Sequence, residues 1–285
     1  MTEEVKERNT ILVAYDGSPA AQVAADLAIQ LAQRQGFLIR GLHVVDERLV
    51  METYADRRAE LEGEEEPASR AELVEWFEYR GVRILSRLKA RCRSAGVPVI
   101  TELVFGGIPE QVASEAAQAC LLVLGRRAHA HTGQPEYLGS NFRAIAHQVS
   151  VPLLVGGNVQ QPVERILFSY DGSECAQRAA HWCALLQQSF SAQVSVLPLW
   201  HDGDGTGTSN GEGETGEYLL RAGLIDYHFV RQETRGIDGV TAAALEEQAN
   251  LVVLGTCKHQ AFPGQPSGHS DDNVLPRTEM LVLLI

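Results

Sequence analysis

Short apolar runs alternate along this chain with longer stretches in which apolar residues recur every three or four positions. The runs at 10–15, 38–45, 99–105, 121–124 and 152–155 read as strands, and the stretches 18–35, 70–95, 109–119 and 141–148 between them read as helices. Strands that alternate with helices predict a parallel sheet covered on both faces, because joining parallel strands takes a helix-length crossover. The order then recurs, with strands at 165–170, 193–199, 227–232, 251–254 and 280–285 and helices at 174–190, 217–222 and 240–249. Two five-stranded, doubly wound α/β domains are the predicted architecture.

The recurrence extends to the residues themselves. Ile11-Leu-Val-Ala-Tyr-Asp-Gly-Ser18 is echoed by Ile166-Leu-Phe-Ser-Tyr-Asp-Gly-Ser173, and the ungapped match continues through Ala21/Ala176, Gln22/Gln177, Ala24/Ala179, Ala25/Ala180 and Leu31/Leu186. Leu121-Leu-Val-Leu-Gly125 is echoed by Leu251-Val-Val-Leu-Gly255, and the apolar run at 151–155 by the C-terminal one. The second echo has the shorter offset, so the C-terminal copy is reduced between its first helix and its fourth strand. A length of 285 residues suits two domains at roughly 150 residues each, placed at 1–158 and 159–285. Two polar segments interrupt the pattern: an acidic run at 62–66, and a Gly-rich stretch at 201–216 whose composition predicts mobility.

Composition narrows the function classes. The formal net charge is -13, and no basic stripe is present, which argues against a nucleic-acid partner. The five cysteines (Cys92, Cys120, Cys175, Cys183 and Cys257) form no C-x-x-C pair and read as reduced, buried thiols. The first residues lack the basic start and apolar core of a signal peptide, and no apolar run approaches about 18 residues. A cytoplasmic chain with no membrane partner is the expectation.

A first strand ending in Tyr15-Asp16-Gly17-Ser18, a second ending in Leu42-His43-Val44-Val45, and a fourth ending in Leu124-Gly125 before a glycine-bearing loop together resemble the universal stress protein family. The resemblance covers both halves. It implies a flavodoxin-like or Rossmann-like fold of the adenine nucleotide alpha hydrolase-like kind, and a nucleotide-binding motif G-2x-G-9x-G-[S/T] after the fourth strand. The chemistry suits that place: glycines let backbone N–H groups approach phosphates, and the following helix N-terminus offers free donors. Ligands of open parallel sheets also gather at the carboxyl ends of the strands.

In the first half the motif reads Gly125-Arg126-Arg127-Ala128, ten residues, then Gly139-Ser140-Asn141. Ala128 stands where the family has its second glycine. If that position needs a left-handed backbone, alanine costs roughly 1–2 kcal/mol. The resemblance implies a site for ATP, alone or with Mg2+, at Gly125, Gly139, Ser140 and Asn141, joined by Asp16 and Val44. Arg126 and Arg127 bring positive charge to the loop. In the second half the loop reads Gly255-Thr256-Cys257-Lys258, nine residues, then Gly268-His269, with Pro276 cutting short the next helix. A weak or empty second site is expected.

Plainer readings stand beside these. Asp16-Gly17-Ser18-Pro19 is also an ordinary helix entry with Ser18 as N-cap, and the same holds for Asp171. Gly106-Gly107 before Pro109 suits any turn into a helix. His129 and His131 have metal-like spacing but no third ligand, and the acidic run reads as solvated surface. Three function classes follow: a regulatory adenine-nucleotide-binding module, an interaction protein that has lost nucleotide binding, and a slow nucleotide hydrolase. No Walker-type loop or nucleophile triad is legible, so a non-enzyme is expected. Its partners would be the nucleotide and unidentified proteins. The last strands, 151–155 and 280–285, are expected to pair in an intramolecular pseudo-dimer, with homodimer formation left open.

Overall fold

Apolar runs buried on both faces become the central strands. The computed structural model describes residues 9–60, 69–126, 140–156, 161–199, 210–232, 236–255 and 280–285. They divide into two compact units, the first ending at Val151 and the second beginning at Pro152.

The first unit contains β1 (Thr10–Ala14), α1 (Pro19–Gln35), β2 (Leu38–Asp46), α2 (Glu47–Glu60), α3 (Arg70–Ser94), β3 (Val99–Gly106), α4 (Ile108–Ala116), β4 (Leu121–Gly125) and α5 (Ser140–Gln148). Its strands lie in the order β3-β2-β1-β4 and all pairs are parallel. The buried side chains of β1 and β4 alternate between the two faces, so both faces are covered. Asp26 on α1 is bound by Arg91 on α3, whose Nε lies 3.0 Å from Oδ1.

The second unit contains β5 (Leu153–Gly156), β6 (Arg165–Tyr170), α6 (Glu174–Phe190), β7 (Gln193–Pro198), α7 (Asn210–Arg221), β8 (Tyr227–Phe229), α8 (Gly236–Glu246), β9 (Leu251–Gly255) and β10 (Leu281–Leu284). Its strand order is β5-β10-β9-β6-β7-β8. Every pair is parallel except β5 with β10, which is antiparallel with Val155 opposite Val282. The expected pairing of the two final strands, β5 with β10, is present.

In each unit the chain leaves the central strand, β1 or β6, toward one side of the sheet and returns on the other. The crevice between β1 and β4, and its counterpart between β6 and β9, is therefore a switch point, where open α/β sheets hold their ligands.

Three expectations need correction. Helix α2 was not anticipated: the segment 47–60 has no apolar stripe, and it begins because Asp46 Oδ1 accepts the Arg48 N–H at 3.0 Å. The Gly-rich stretch is helical from Asn210 onward. Thr215 and Leu219, one turn apart, are buried there, and Arg231 binds Glu212 at 2.8 Å. Residues 62–66 and 201–209 lie outside the described residues. Finally, Cys92, Cys120 and Cys183 are free, but Cys175 is disulfide-bonded, so the five thiols are not all reduced.

Candidate functional site

At the carboxyl end of β1 the chain must turn sharply into α1, and four residues do it. Tyr15 N–H donates to Leu42 O at 2.8 Å, carrying the parallel ladder one residue further. Gly17 adopts φ +76°, a left-handed conformation that favours glycine. Asp16 Oδ1 accepts the Ser18 N–H at 2.9 Å, and Ser18 Oγ accepts the Ala21 N–H at 3.2 Å as N-cap, with Pro19 following. The helix-entry reading of Asp16 is thus realised, with the carboxylate half-buried beside the switch point.

Gly125 ends β4 against this helix entry. A Cβ there would come within 2.6 Å of the Ala21 backbone nitrogen and 2.9 Å of its Cα. Only glycine allows β4 and the first turn of α1 to approach so closely. Arg126, expected to bring charge to the loop, is 4% exposed and engaged within the protein. Arg127, Ala128, Gly139, His129 and His131 lie outside the described residues. Ser140 opens α5, and Asn141 Oδ1 accepts from Arg48 Nη2 at 3.3 Å. Arg48 also lies 3.5 Å from Asp46, so it links the end of β2 to the start of α5. Sequence reasoning passed over Arg48; the Asp-Glu-Arg that follows a strand was the available signal.

Val44 is half-buried on β2, in register with Val104 of β3. Its neighbour His43 lies deeper in the structure's logic. His43 Nδ1 is 2.8 Å from Tyr15 O, so a neutral ring donates there. Burial holds the His43 pKa below its usual value, opposed by that hydrogen bond and by Asp16, and reinforced by the charge of Arg80. Gly81 of α3 makes room for the ring, since a Cβ there would sit 2.7 Å from His43 Cδ2. Burial also raises the Tyr15 phenol.

The second unit repeats the frame. Asp171 Oδ1 accepts the Ser173 N–H at 2.9 Å, Gly172 has φ +80°, and Ser173 Oγ accepts the Ala176 N–H at 3.1 Å. A Cβ on Gly255 would lie 2.8 Å from Ala176 Cα. The surroundings differ: Pro198 follows Leu197 where His43 follows Leu42. Tyr218 lies with its ring 6.3 Å from that of Tyr170, and its hydroxyl donates to Gln177 O at 3.2 Å. Lys258, Gly268, His269 and Pro276 lie outside the described residues.

One polar cluster invisible in the sequence sits elsewhere. Ser195 Oγ donates to Glu247 Oε2 at 2.7 Å, and His228 Nε2 lies 3.2 Å from that hydroxyl and 3.1 Å from the same carboxylate oxygen. In a nucleophile triad the carboxylate holds the ring nitrogen remote from the hydroxyl. Here one nitrogen meets both groups, and Ser195 lies toward the amino end of β7, away from the switch point. Among the described residues no group of three His, Cys, Asp or Glu is placed to hold a metal ion, and no helix is long and apolar enough to cross a membrane.

Two doubly wound units, each with a Tyr-Asp-Gly-Ser turn facing a glycine at the end of its fourth strand, define a tandem α/β protein of the flavodoxin-like class. The model of the universal stress protein family matches residues 7–156 and 162–285, and the chain belongs to that family. It is similar to universal stress protein Slr1230 of Synechocystis sp., with 24% identity over 201 residues, 66% of this chain and 67% of that protein. The fold is shared with a universal stress protein from Archaeoglobus fulgidus DSM 4304, with a TM-score of 0.72 at 17% identity over 96% of this chain and 97% of that one. It is shared also with the functionally unknown protein PA1789 from Pseudomonas aeruginosa PAO1, with a TM-score of 0.59 at 15% identity over 99% and 94% of the two chains.

Proposed function

We propose that this universal stress protein is a regulator that binds ATP or a related adenine nucleotide at the switch point of its first unit, and that it is not an enzyme with its own substrate. The observation that carries the reading is the exposed Arg48 guanidinium, whose Nη2 lies 3.3 Å from Asn141 Oδ1 beside the N-terminus of α5; the frame beneath it is the approach of Gly125 to the backbone of Ala21. It brings the end of β4 against the entry of α1, from which the chain runs on through the glycine-bearing loop to the N-terminus of α5. Backbone donors at that N-terminus and the exposed Arg48 guanidinium suit phosphate oxygens. The half-buried Asp16 and Val44 flank the place where the nucleoside would lie.

The non-enzyme reading is supported by what surrounds Asp16 and by the geometry of the Ser195, His228 and Glu247 cluster. Asp16 spends one oxygen on the helix entry, and the cluster lacks the geometry of a nucleophile. Occupancy of the first site would then act by changing the shape or the protein partners of the chain, in the cytoplasm, under stress. A chain that works purely through protein contacts is the second reading, favoured by Ala128 in the loop.

Mass spectrometry of ligand released on denaturing the purified protein separates the two. Recovered adenine nucleotide supports the first reading; none, together with no ATP binding, supports the second. Phosphate release from ATP well above background that is lost in Asp16→Ala would overturn the non-enzyme reading.

A further inference from the structure

Helix α3 runs for 25 residues and turns one stripe inward: Leu73, Gly81, Leu85, Leu88 and Cys92 are buried, with Gly81 set against His43 and Leu103. The opposite stripe is not the polar surface that an outer helix ordinarily presents. At about 100° per residue, Tyr79 falls opposite the middle of the buried stripe. It is 62% exposed, and Trp76 and Val82 beside it are 46% and 52% exposed. Arg80 lies over the Trp76 ring at 4.7 Å and Arg83 over the Tyr79 ring at 5.9 Å, attractions that restrain both rings at the surface.

The charges along this helix are sorted. Its N-terminal half carries Glu72, Glu75 and Glu78, followed by Arg80, Arg83 and Arg87, and all six are exposed. Glu72 is engaged in the capping box with Ser69. Glu75, Tyr79 and Arg83 stand one turn apart, so the apolar centre has a carboxylate on one side and a guanidinium on the other. Such a surface is complementary to itself when turned end for end. A two-fold axis at Tyr79 lays a second α3 antiparallel on the first, and positions equidistant from the axis then meet, each contact occurring twice. Glu75 faces the partner's Arg83, and Trp76 faces the partner's Val82. A parallel arrangement would instead set like charges together.

The net charge of -13 opposes the approach of any acidic partner, a second copy included. That diffuse repulsion is screened beyond about 8 Å at physiological salt, whereas contact pairs act well inside this distance. A uniformly acidic partner would also meet Glu75 and Glu78, which an antiparallel second α3 offsets with its own arginines.

We propose that this face of α3 is a homodimer interface, in which two copies of the chain associate through antiparallel α3 helices about a two-fold axis at Tyr79. Trp76 and Tyr79 are the aromatic anchors, of the kind that dominate interface energies. Glu75 and Arg83 flank them and set the direction. One helix face on each side makes a small interface, so the dimer forms in the micromolar range.

The test is sedimentation equilibrium of the full chain under reducing conditions, from nanomolar to high micromolar concentration. The expected result is a reversible monomer–dimer equilibrium that Tyr79→Ala abolishes. Glu75→Arg alone and Arg83→Glu alone should each weaken the dimer by at least about tenfold, because symmetry makes each change create two like-charge contacts. Mixing the two single variants should restore association, since each then offers the charge that the other lacks. A wild type that stays monomeric throughout would overturn the proposal. So would a dimer indifferent to the charge reversals, or a mixture of the two variants that associates no better than either alone.

Discussion

The two units build the same strand–turn–helix frame and then cover it differently. Asp16 and Asp171 each accept a serine N–H at 2.9 Å, Gly17 and Gly172 are both left-handed, and Gly125 and Gly255 both press against helix backbone. What changes is the second layer. A Cβ on Gly17 would touch Ile84 of α3 at 3.4 Å, whereas one on Gly172 would meet nothing within 4 Å. His43, tied to the Tyr15 carbonyl, gives way to Pro198, which has no side-chain donor. The lesson is that the frame is required by the fold, since turning out of a central parallel strand needs it, whereas the residues that cover it differ between the units.

If the frame is structural, its glycines should matter equally in both units. Gly125→Ala and Gly255→Ala each drive a Cβ into backbone that cannot rotate away, and each should cost about 2–3 kcal/mol in urea denaturation. Tolerance of either one would break the comparison. Next come the left-handed positions. Gly17→Ala and Gly172→Ala should each cost roughly 1–2 kcal/mol, with Gly17→Ala the larger because of Ile84. A reversed order would mean that α3 does not cover the first turn as described.

The smallest expected effect concerns His43. Its folded-state pKa is lowered by burial, so the fold takes up a proton less readily than the unfolded chain, whose histidine titrates near 6.5. The stability that follows is fully present above about pH 6.5 and is lost as pH falls through the folded-state value. Comparing denaturation midpoints of the wild type and His43→Gln between about pH 7.5 and 5 should show a shallower loss in the variant. Equal slopes would remove His43 from the distinction between the units.

Much of this was legible in the chain itself, for identifiable reasons. β1, β4 and β9 are buried on both faces and so appear as apolar runs, β6 keeps Ile166, Leu167 and Phe168 of that pattern, and the turn residues between β1 and α1 carry their own local chemistry. Helix α2 was not legible because it has no apolar stripe; its cap, Asp46, acts through one hydrogen bond. The start of α7 was hidden by glycines, although Thr215 and Leu219 form a buried stripe and Glu212 is held by Arg231. The role of Arg48 depends on bringing residues 48 and 141 together, which no local pattern encodes. Burial of Arg126 is likewise a tertiary outcome, because charged loop residues ordinarily face water.

The central claim is that the first unit alone keeps a nucleotide site, and equilibrium titration of ATP tests it most directly on the wild type, Gly139→Val and Gly268→Val. The account predicts saturable binding by the wild type, at least about a tenfold weaker affinity in Gly139→Val, equivalent to roughly 1.4 kcal/mol, and unchanged affinity in Gly268→Val. Equal weakening in both variants, or no binding by the wild type, would contradict it.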